Sequence, residues 1–443
     1  MSVKLRTNSD PHSSANKQAD GKMNLPVQIK YSVAHLAWFT MFISILIWNV
    51  NVNTSSVSQS AALGNTGNVY RIFLVMFSLV VGAYALMKNS GNLSKRLSLP
   101  IILFIIYAVV AFLSSLLVPI NSFYTMWKSM EIMIDLMILL AILCHATPYE
   151  SILKAYKMLI IIFIIFLTLF TIEAIVAPSI VLLPSRGTIP FTMRGYIPRY
   201  NGNSLAFLCA LVAFYSFCRA INFKKHKIVY SGIFAWSFIV LILAQSRTSL
   251  IGLMVAIIVF TYFNKNKKTF YSLIALTILL SLLATVAGSI EAYLTRGQSA
   301  ELMGSLSGRT HGWEASIDAF FASPIVGHGF AAAARTDILG VAGASTLHGA
   351  IFDVMVGTGL MGLIPWLLSI ILIGKALLNR KMIEQIGGAY KVQHYEFMGL
   401  FALLMVRSLT SSGIAFHEHT LMLLLIIYGY IASLPTLYAR FKH

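Results

Sequence analysis

The stretch LPIILFIIYAVVAFLSSLLV, residues 99–118, contains twenty consecutive residues without a charged side chain. A transmembrane helix needs about 20 apolar residues, because an α-helix rises about 1.5 Å per residue through a hydrocarbon core about 30 Å thick. Eleven more segments of the chain are similarly apolar. The twelve predicted spans are 33–50, 70–88, 99–118, 123–145, 155–177, 203–222, 227–245, 248–263, 268–290, 348–376, 396–413 and 416–437. The sequence therefore predicts an all-α, polytopic membrane protein of about twelve transmembrane helices.

The composition excludes most classes of soluble protein. Of the 443 residues, 58% are hydrophobic and 11% are charged, whereas soluble domains are about a quarter charged. The formal net charge of +18 is better explained by basic loops that meet anionic lipid than by nucleic-acid binding. Cys144, Cys209 and Cys218 all lie inside predicted spans and form no disulfide or metal-binding pattern. We predict neither a nucleic-acid partner nor a cofactor.

The first thirty residues, 1–30, are polar and basic. They are too long and too polar for the charged region of a signal peptide, and the apolar run that follows them has the length of a span. We predict that this segment is a disordered cytoplasmic tail. The remaining residues, 31–443, are predicted to form a single transmembrane domain with one long outer loop at 291–347.

The basic residues in the segments that are predicted to face outward are all arginines. With the basic tail in the cytoplasm and the helices alternating, the outer segments are 51–69, 119–122, 178–202, 246–247, 291–347 and 414–415. Their basic residues are Arg186, Arg194, Arg199, Arg247, Arg296, Arg309 and Arg335, while most lysines fall on the inside. This charge bias and the even number of spans both predict that the two termini are cytoplasmic.

Outward arginines close to the apolar core indicate a bound anion. Basic residues are disfavoured on the outer side of a membrane protein, so their presence there needs a reason. The guanidinium group is always charged and forms bidentate hydrogen bonds with phosphate oxygens. The pattern therefore predicts a phosphate-binding site on the outer face.

Arg247 belongs to the sequence QSRTS, residues 245–249, which separates two apolar runs with almost no loop. An arginine at the bilayer centre costs about 2.5–3.5 kcal/mol on insertion scales, so a position near the hydrocarbon indicates a specific role. The flanking serine and threonine hydroxyls favour an anion ligand. A structural arginine that caps helix carbonyls or reaches the lipid headgroups is the alternative.

Arg199 precedes a predicted helix that starts at Asn203 or Ser204, both of which are good N-cap residues. A helix N-terminus presents free N–H groups and a positive dipole to an anion. Arg199 is therefore a candidate ligand of a phosphate. The alternative is that Arg199, like Arg186 and Arg194, lies in a solvated loop.

Arg309 lies in the long outer loop, where small residues flank it in SGRTHGW, residues 307–313. The glycine-rich sequence SPIVGHGF follows at 323–330, and glycine permits close approach of the backbone. Between them a short amphipathic helix is predicted at 312–322, lying on the membrane surface as a lid. Its apolar side carries Trp313, Ile317, Phe320 and Phe321. A turn with a solvated arginine is the alternative.

His348 opens the tenth predicted span. The ordinary pKa of histidine lies near neutral pH, so His348 is a candidate general base, with a satisfied interface residue as the alternative. Asp353 lies five residues further on and is predicted to face roughly away from it. Seven more polar residues lie at membrane depth or at its edge, and the sequence does not show which of them pair. They are Glu131, Asp135, Glu173, Arg407, His417, Glu418 and His419.

Motifs for nucleotide binding, for serine hydrolases and for HExxH metalloproteases do not occur. An outward-facing enzyme has no access to ATP, so the energy for any synthesis has to arrive in the substrate. A lipid-linked pyrophosphate donor would supply both the leaving group and the anion that the arginines bind.

Four segments of the chain, in this order, resemble the O-antigen ligase and Wzy-type polysaccharide polymerase family. They are Ser246-Arg247-Thr248, then Gly308-Arg309-Thr310 with Trp313, then Pro324 with Gly327-His328-Gly329, and finally His348 with Gly359 and Gly362. The combination is most similar to the exopolysaccharide polymerases of the succinoglycan type. Two positions depart from the family pattern, because Gly349 stands where the family commonly has asparagine and Gly357 stands where it has an acidic residue.

The resemblance implies a fold related to the GT-C glycosyltransferases in a bacterial inner membrane. It implies metal-independent transfer of an oligosaccharide from undecaprenyl pyrophosphate to a sugar hydroxyl on the periplasmic face. Arg247 and Arg309, with Arg199, would bind the pyrophosphate, and His348 would activate the acceptor. The implied partners are the lipid-linked donor, the glycan acceptor, the bilayer, a chain-length regulator and a flippase.

Three functions remain open at this point. The first is polymerisation of the repeats of an exopolysaccharide or O-antigen, and the second is ligation of a finished glycan to a lipid or protein acceptor. The third is secondary transport of an anionic solute. A transporter normally needs charged or broken helices at mid-membrane, whereas the arginines here are predicted at one edge, which favours an enzyme.

Overall fold

The structure is a computed structural model, and it describes residues 32–47, 66–117, 122–185, 189–265, 309–331, 349–379 and 388–441. The side chains of residues 47, 66–68, 122–123, 309, 389 and 439–441 are outside this description. The described residues from Val33 onward belong to one compact unit. The predicted tail at 1–30, the predicted span at 268–290 and most of the predicted loop at 291–347 fall outside the described residues.

The regular secondary structure of the described residues is helical apart from one short hairpin. The α-helices are α1 (Val33–Ile47), α2 (Thr66–Asn89), α3 (Leu99–Leu117), α4 (Ser122–Leu143), α5 (Pro148–Val176), α6 (Pro178–Val181), α7 (Gly202–Asn222), α8 (Lys227–Leu243), α9 (Arg247–Phe263), α10 (Arg309–Ala322), α11 (Ala350–Leu377), α12 (Gly388–Ser408) and α13 (His419–Phe441). Strands β1 (Leu182–Pro184) and β2 (Phe191–Met193) pair antiparallel, with Leu183 opposite Thr192.

The chain is a polytopic membrane protein, as the sequence predicts. The described residues contain seven helices that are long and apolar enough to cross a membrane: Val69–Asn92, Leu99–Leu117, Pro148–Val176, Gly202–Asn222, Lys224–Leu243, Ala350–Leu377 and His419–Tyr438. The helices Val33–Leu46 and Arg247–Phe263 are apolar but shorter. Eleven of the twelve predicted spans overlap a helix, and the twelfth is the one outside the described residues.

Helix α13 lies at the centre of the bundle and α8 at its edge. The apolar window of α13 is 89% buried inside the protein, whereas that of α8 is 17% buried. Charged residues on α4, among them Glu131 and Asp135, are fully buried in the protein and not exposed to lipid. Because ionised side chains in contact with hydrocarbon are costly, this burial explains how a charged helix packs within the bundle.

Lysine is nearly absent from one end of the bundle in the described part of the chain. We call this end the arginine end; it comprises the first residues of α2, α4, α7, α9, α11 and α13 and the last residues of α1, α3, α5, α8 and α12. Contacts across it join Phe207 of α7 to His419 of α13, and His417 to Ser44 of α1. Ten of the eleven lysines in the described part of the chain lie at the opposite end; Lys128 is the exception. This distribution matches the predicted charge bias.

The last segment at the arginine end is longer than predicted. The sequence predicts a turn near 414–415, but α12 ends at Ser408 and α13 begins at His419, so residues 409–418 form a non-helical connection. Its apolar residues continue the apolar runs on either side, so the sequence alone assigns them to the flanking spans. Instead, Phe416 packs edge-on against Phe330 at 5.3 Å, and the Ala415 carbonyl accepts a hydrogen bond from the Tyr107 hydroxyl at 3.1 Å.

Candidate active site at the arginine end of the bundle

The turn that precedes Arg247 anchors the β-hairpin. Gln245 follows α8 with a φ of 53°, and its amide nitrogen donates hydrogen bonds to the carbonyls of Ile189 at 3.2 Å and Phe191 at 2.8 Å. Ser185 Oγ donates to the amide oxygen of Gln245 at 3.2 Å. The outer segment between α5 and α7 is thereby fastened to the α8–α9 turn.

Arg247 is the first residue of α9 and is half-buried. Ser246 occupies the N-cap position and is buried, and Ser249 Oγ donates a hydrogen bond to Ser246 Oγ at 3.1 Å. The first N–H groups of a helix lack partners within the helix. Arg247 therefore lies at a positively polarised helix end, where its guanidinium group and the backbone can act on the same anion.

The segment that carries Arg199 is held by a carboxylate of α5. Glu173 accepts hydrogen bonds from the backbone N–H groups of Tyr196 at 2.9 Å and Ile197 at 2.8 Å. Gly195 and Tyr200 exchange backbone hydrogen bonds that close the loop around them. Arg199 is exposed in this loop. Glu173, which the sequence leaves without a partner, thus orients an outer loop.

Helix α7 begins earlier than predicted. Its N-cap is Asn201, whose Oδ1 accepts a hydrogen bond from the Ser204 N–H at 2.8 Å, and not Asn203 or Ser204. Gly202 follows because a side chain there would approach the Ala244 carbonyl at 3.1 Å. This close approach brings the start of α7, two residues after Tyr200, against the end of α8, so that the Arg199 loop and the Arg247 turn lie at adjoining helix ends.

Helix α11 is interrupted where the glycine-rich segment crosses it. Gly359 has a φ of 56°, which breaks the helical hydrogen-bond ladder. The freed Leu360 N–H donates to the Pro324 carbonyl at 2.8 Å, and the His328 N–H donates to the Val356 carbonyl at 2.9 Å. Unpaired backbone groups are costly in an apolar environment, so the segment 324–328 satisfies the groups that the break exposes.

The same crossing explains one departure from the family pattern. A Cβ on Gly357 would lie 3.3 Å from the Gly329 carbonyl oxygen and 3.4 Å from the Ala331 nitrogen. The backbone of residues 329–331 therefore occupies the space that an acidic side chain would need.

Helix α10 begins at Arg309 and packs on the start of α11. Trp313 stacks on Phe352 with ring centroids 5.2 Å apart. The helix exists as predicted, but its predicted apolar side is not buried as a whole, because Ile317 is 43% and Phe321 is 72% exposed. The buried positions are instead small residues, Ser316 and Ala319, which allow α10 to lie close to its neighbours.

Two predicted site residues are described only in part or not at all. The side chain of Arg309 and the whole of His348 lie outside the described residues. The backbone of Arg309 starts α10, and Gly349, the neighbour of His348, lies beside that helix: a Cβ on Gly349 would be 3.4 Å from Trp313 Nε1 and 2.9 Å from the Phe352 ring. The second departure, glycine in place of asparagine, has its reason in this aromatic pair.

Three of the seven polar residues that the sequence leaves unpaired, Glu131, Asp135 and His417, lie in buried hydrogen-bonded groups at the same end. Glu131 accepts hydrogen bonds from Arg71 at 2.6 Å, from Trp127 Nε1 at 2.9 Å and from Lys128 at 2.9 Å. His417 Nδ1 donates to Asp135 at 2.7 Å. Sequence reasoning missed Arg71, although its place in the first turns of an outward-starting span is the same signal that singles out the other arginines.

Asp353 is buried between α11 and the 409–418 connection. Ser412 Oγ donates a hydrogen bond to its Oδ2. Phe330 packs edge-on against Tyr107 at 6.3 Å, and its other neighbour, Phe416, belongs to that connection. Asp353 therefore faces a polar and aromatic region, in which no role was predicted for it.

Comparison with known proteins places part of this region in a family. Residues 232–367 match the family described as Wzy_C, O-antigen ligase. The match includes most of α8, all of α9 and α10, and α11 as far as its first eighteen residues. No match was found among curated proteins. The chain is a polytopic membrane protein that carries a Wzy_C domain of the O-antigen ligase family at residues 232–367.

Proposed function

We propose that the protein is a membrane glycosyltransferase that moves an oligosaccharide from a polyprenyl pyrophosphate to a sugar hydroxyl. The observation that carries the proposal is that Arg247 is the first residue of α9, in the same matched domain that contains Arg309. The start of α9 therefore combines a guanidinium group with the positively polarised N–H groups of a helix end. A second arginine in that domain suits a diphosphate better than a single phosphate.

The chemistry needs cations where the leaving group departs. When a pyrophosphate is displaced from an anomeric carbon, negative charge builds on the pyrophosphate oxygen that was bonded to that carbon. Arg247 and Arg309, with Arg199, stabilise that charge, and fixed donors of this kind act strongly where water is excluded. No nucleotide motif is present in the sequence, which agrees with an activated lipid-linked donor.

His348 is proposed to take the proton from the acceptor hydroxyl. It directly precedes Gly349, where α10 and α11 meet. An imidazole is a suitable base near neutral pH, and such a base contributes about 10²–10⁴ to the rate. The proposed reaction uses no metal ion, since arginines and helix ends supply the positive charge.

The proposed topology has about twelve spans with both termini in the cytoplasm, a GT-C-like arrangement, and the arginine end facing the periplasm of a bacterial inner membrane. Lysines gathered at the opposite end support this orientation. The proposed substrates are undecaprenyl-pyrophosphate-linked repeats, with a flippase and a chain-length regulator as partners.

Within this chemistry we favour polymerisation of exopolysaccharide or O-antigen repeats over ligation of a finished glycan. The deciding experiment incubates the purified protein in detergent with lipid-linked repeats isolated from a strain that lacks the gene. A ladder of longer lipid-linked glycans supports the polymerase. Transfer that needs a separate lipid or protein acceptor indicates a ligase. Absence of any new glycosidic bond refutes the proposal, and anion uptake by proteoliposomes would then favour a transporter.

A further inference from the structure

Three buried side chains at the arginine end each present a polar atom without a hydrogen-bond partner among the described residues. They are Asp353 Oδ1, the Tyr200 hydroxyl and the Thr420 hydroxyl. Their residues are 1%, 2% and 1% exposed. Nearly all buried polar groups in proteins are satisfied, so a group of orphaned atoms indicates a water or a ligand that belongs there.

One segment of the chain, residues 409–420, brings these atoms together. Asp353 is bound to this segment through Ser412. Both Thr420 Oγ1 and a carboxylate oxygen of Glu418 lie over the Cα of Gly413, where a larger residue would not fit. The Tyr200 ring lies 6.4 Å from the ring of His419. We call the group formed by Asp353, Glu418, Thr420 and Tyr200 the carboxylate pocket.

Glu418 is close enough to act electrostatically on two other members of the carboxylate pocket, Asp353 and the Tyr200 hydroxyl. Burial raises the pKa of the Glu418 carboxyl, and the nearby Arg407 guanidinium partly opposes this. Burial also raises the pKa of the Tyr200 hydroxyl, and Glu418 adds to that rise. The tyrosine is therefore a hydrogen-bond donor in this pocket.

The chemistry of the carboxylate pocket selects its ligand. Two carboxylates repel a phosphate, so this space is unsuited to the pyrophosphate of the donor. Carboxylate oxygens are strong acceptors for hydroxyl donors. Aromatic rings pack next to the pocket: Phe207 lies 5.4 Å from His419, and Phe330 lies 5.3 Å from Phe416. A site with apolar walls and a few fixed polar groups fits a neutral, polyhydroxylated ring.

We infer that the carboxylate pocket binds hydroxyl groups of the acceptor sugar through Asp353, Glu418 and Tyr200. The inference rests on the proposed function and deepens it, because it assigns the acceptor to residues other than the proposed pyrophosphate ligands. Asp353 lies in the first turn of α11, five residues after the proposed base His348. An acceptor held there is near the start of α11, which follows the proposed base in the chain.

The test measures the two substrates separately. The donor is the purified lipid-linked repeat, and the acceptor is the free oligosaccharide that mild acid releases from the same lipid. Asp353→Asn and Glu418→Gln are each expected to raise the KM for the free oligosaccharide about 10- to 100-fold, the loss expected for hydrogen bonds to a charged group. The KM for the lipid donor should stay within about twofold.

Matched controls are available on α10, where Asp318 and Glu314 are exposed carboxylates. Asp318→Asn and Glu314→Gln make the same chemical changes and should leave both KM values unchanged. Tyr200→Phe removes only an orphaned hydroxyl, so this variant folds even if a carboxylate variant does not. It should raise the acceptor KM about tenfold.

Two results overturn the inference. The first is an acceptor KM within twofold of the wild type in Tyr200→Phe and in the folded carboxylate variants. The second is an equal rise of the KM values for donor and acceptor, which would indicate a general distortion. If the wild-type protein itself forms no glycosidic bond, the proposed function fails, and that outcome is distinct from both.

Discussion

Leu360 donates its backbone N–H to the carbonyl of Pro324 at 2.8 Å, across the break in α11. The bond joins a transmembrane helix to the segment that follows α10 in the chain. Because α10 carries Arg309 and α11 follows His348, this crossing sets the relative position of the proposed pyrophosphate ligand and the proposed base. Gly327 lies in the segment that crosses α11, and its φ of 74° allows the backbone to make this crossing.

Gly327→Ala should therefore destabilise the protein. A Cβ at this residue would lie 2.7 Å from the backbone of Gly357 and Gly359, and the positive φ adds about 1–3 kcal/mol of strain. We expect a lower melting temperature in detergent and a lower yield. Gly312→Ala is the matched control, since open space surrounds Gly312 in α10 and alanine favours the helix. Equal melting temperatures for the two variants would contradict the role given to the crossing.

Arg247→Ala and Arg309→Ala should each reduce the rate of glycosidic bond formation about 10²- to 10³-fold, the usual effect of removing one fixed donor from a developing anion. Arg247→Lys should restore only part of the rate, because an ammonium group lacks the planar fork of guanidinium. The measurement is product length on gels of lipid-linked glycan. Arg194→Ala, which removes an exposed arginine of the same outer segment, is the control and should behave as the wild type.

Gln245→Leu should release the β-hairpin from the α8–α9 turn. The substitution removes three hydrogen bonds, to Ile189, Phe191 and Ser185, each worth about 1 kcal/mol. Hydrogen exchange of residues 182–193 should become faster while that of α13 stays slow. Ser185→Ala removes one of the three bonds and should give a smaller increase. Unchanged exchange in Gln245→Leu would show that other contacts hold the hairpin.

Asp135→Asn should lower the free energy of unfolding by about 3–5 kcal/mol, because it disrupts a fully buried pair with His417. The double variant Asp135→Asn/His417→Gln should recover part of that loss, since no unmatched partner remains. The control pair His311→Gln and Glu314→Gln lies on the surface, with side chains 77% and 74% exposed, and should change little. If the losses of unfolding free energy from the two single substitutions simply add in the double variant, Asp135 and His417 are not coupled.

The pH dependence of the melting temperature should show the protonation of the Glu418 carboxyl. Burial raises the pKa of this carboxyl above its ordinary value of 4.5, so the folded protein binds the proton more tightly than the unfolded chain. The resulting stabilisation is complete below the unfolded pKa and is lost as pH rises through the folded pKa. Glu418→Gln cannot titrate, so its melting temperature should fall less over that interval than that of the wild type. If melting temperature depends on pH in the same way in the wild type and in Glu418→Gln, the raised pKa of Glu418 is contradicted.

The arrangement of spans and the difference between the two ends could be predicted from local sequence. A bilayer requires about 20 apolar residues for each span and disfavours outward lysine, and both rules act on contiguous stretches of chain. The position of Arg247 between two apolar runs, and a helix close to the predicted 312–322, follow from the same kind of information.

The buried pairs depend on the packing of distant segments. Asp135 and His417 are 282 residues apart, and Asp353 and Ser412 are 59 residues apart, so no periodicity or motif connects them. The glycines at 327 and 359 indicate a permissive backbone, but a glycine does not specify which segment will approach it. Side chains separated in sequence become partners when helices bury them together, because an unsatisfied polar group in an apolar interior costs more than the entropy of ordering its partner.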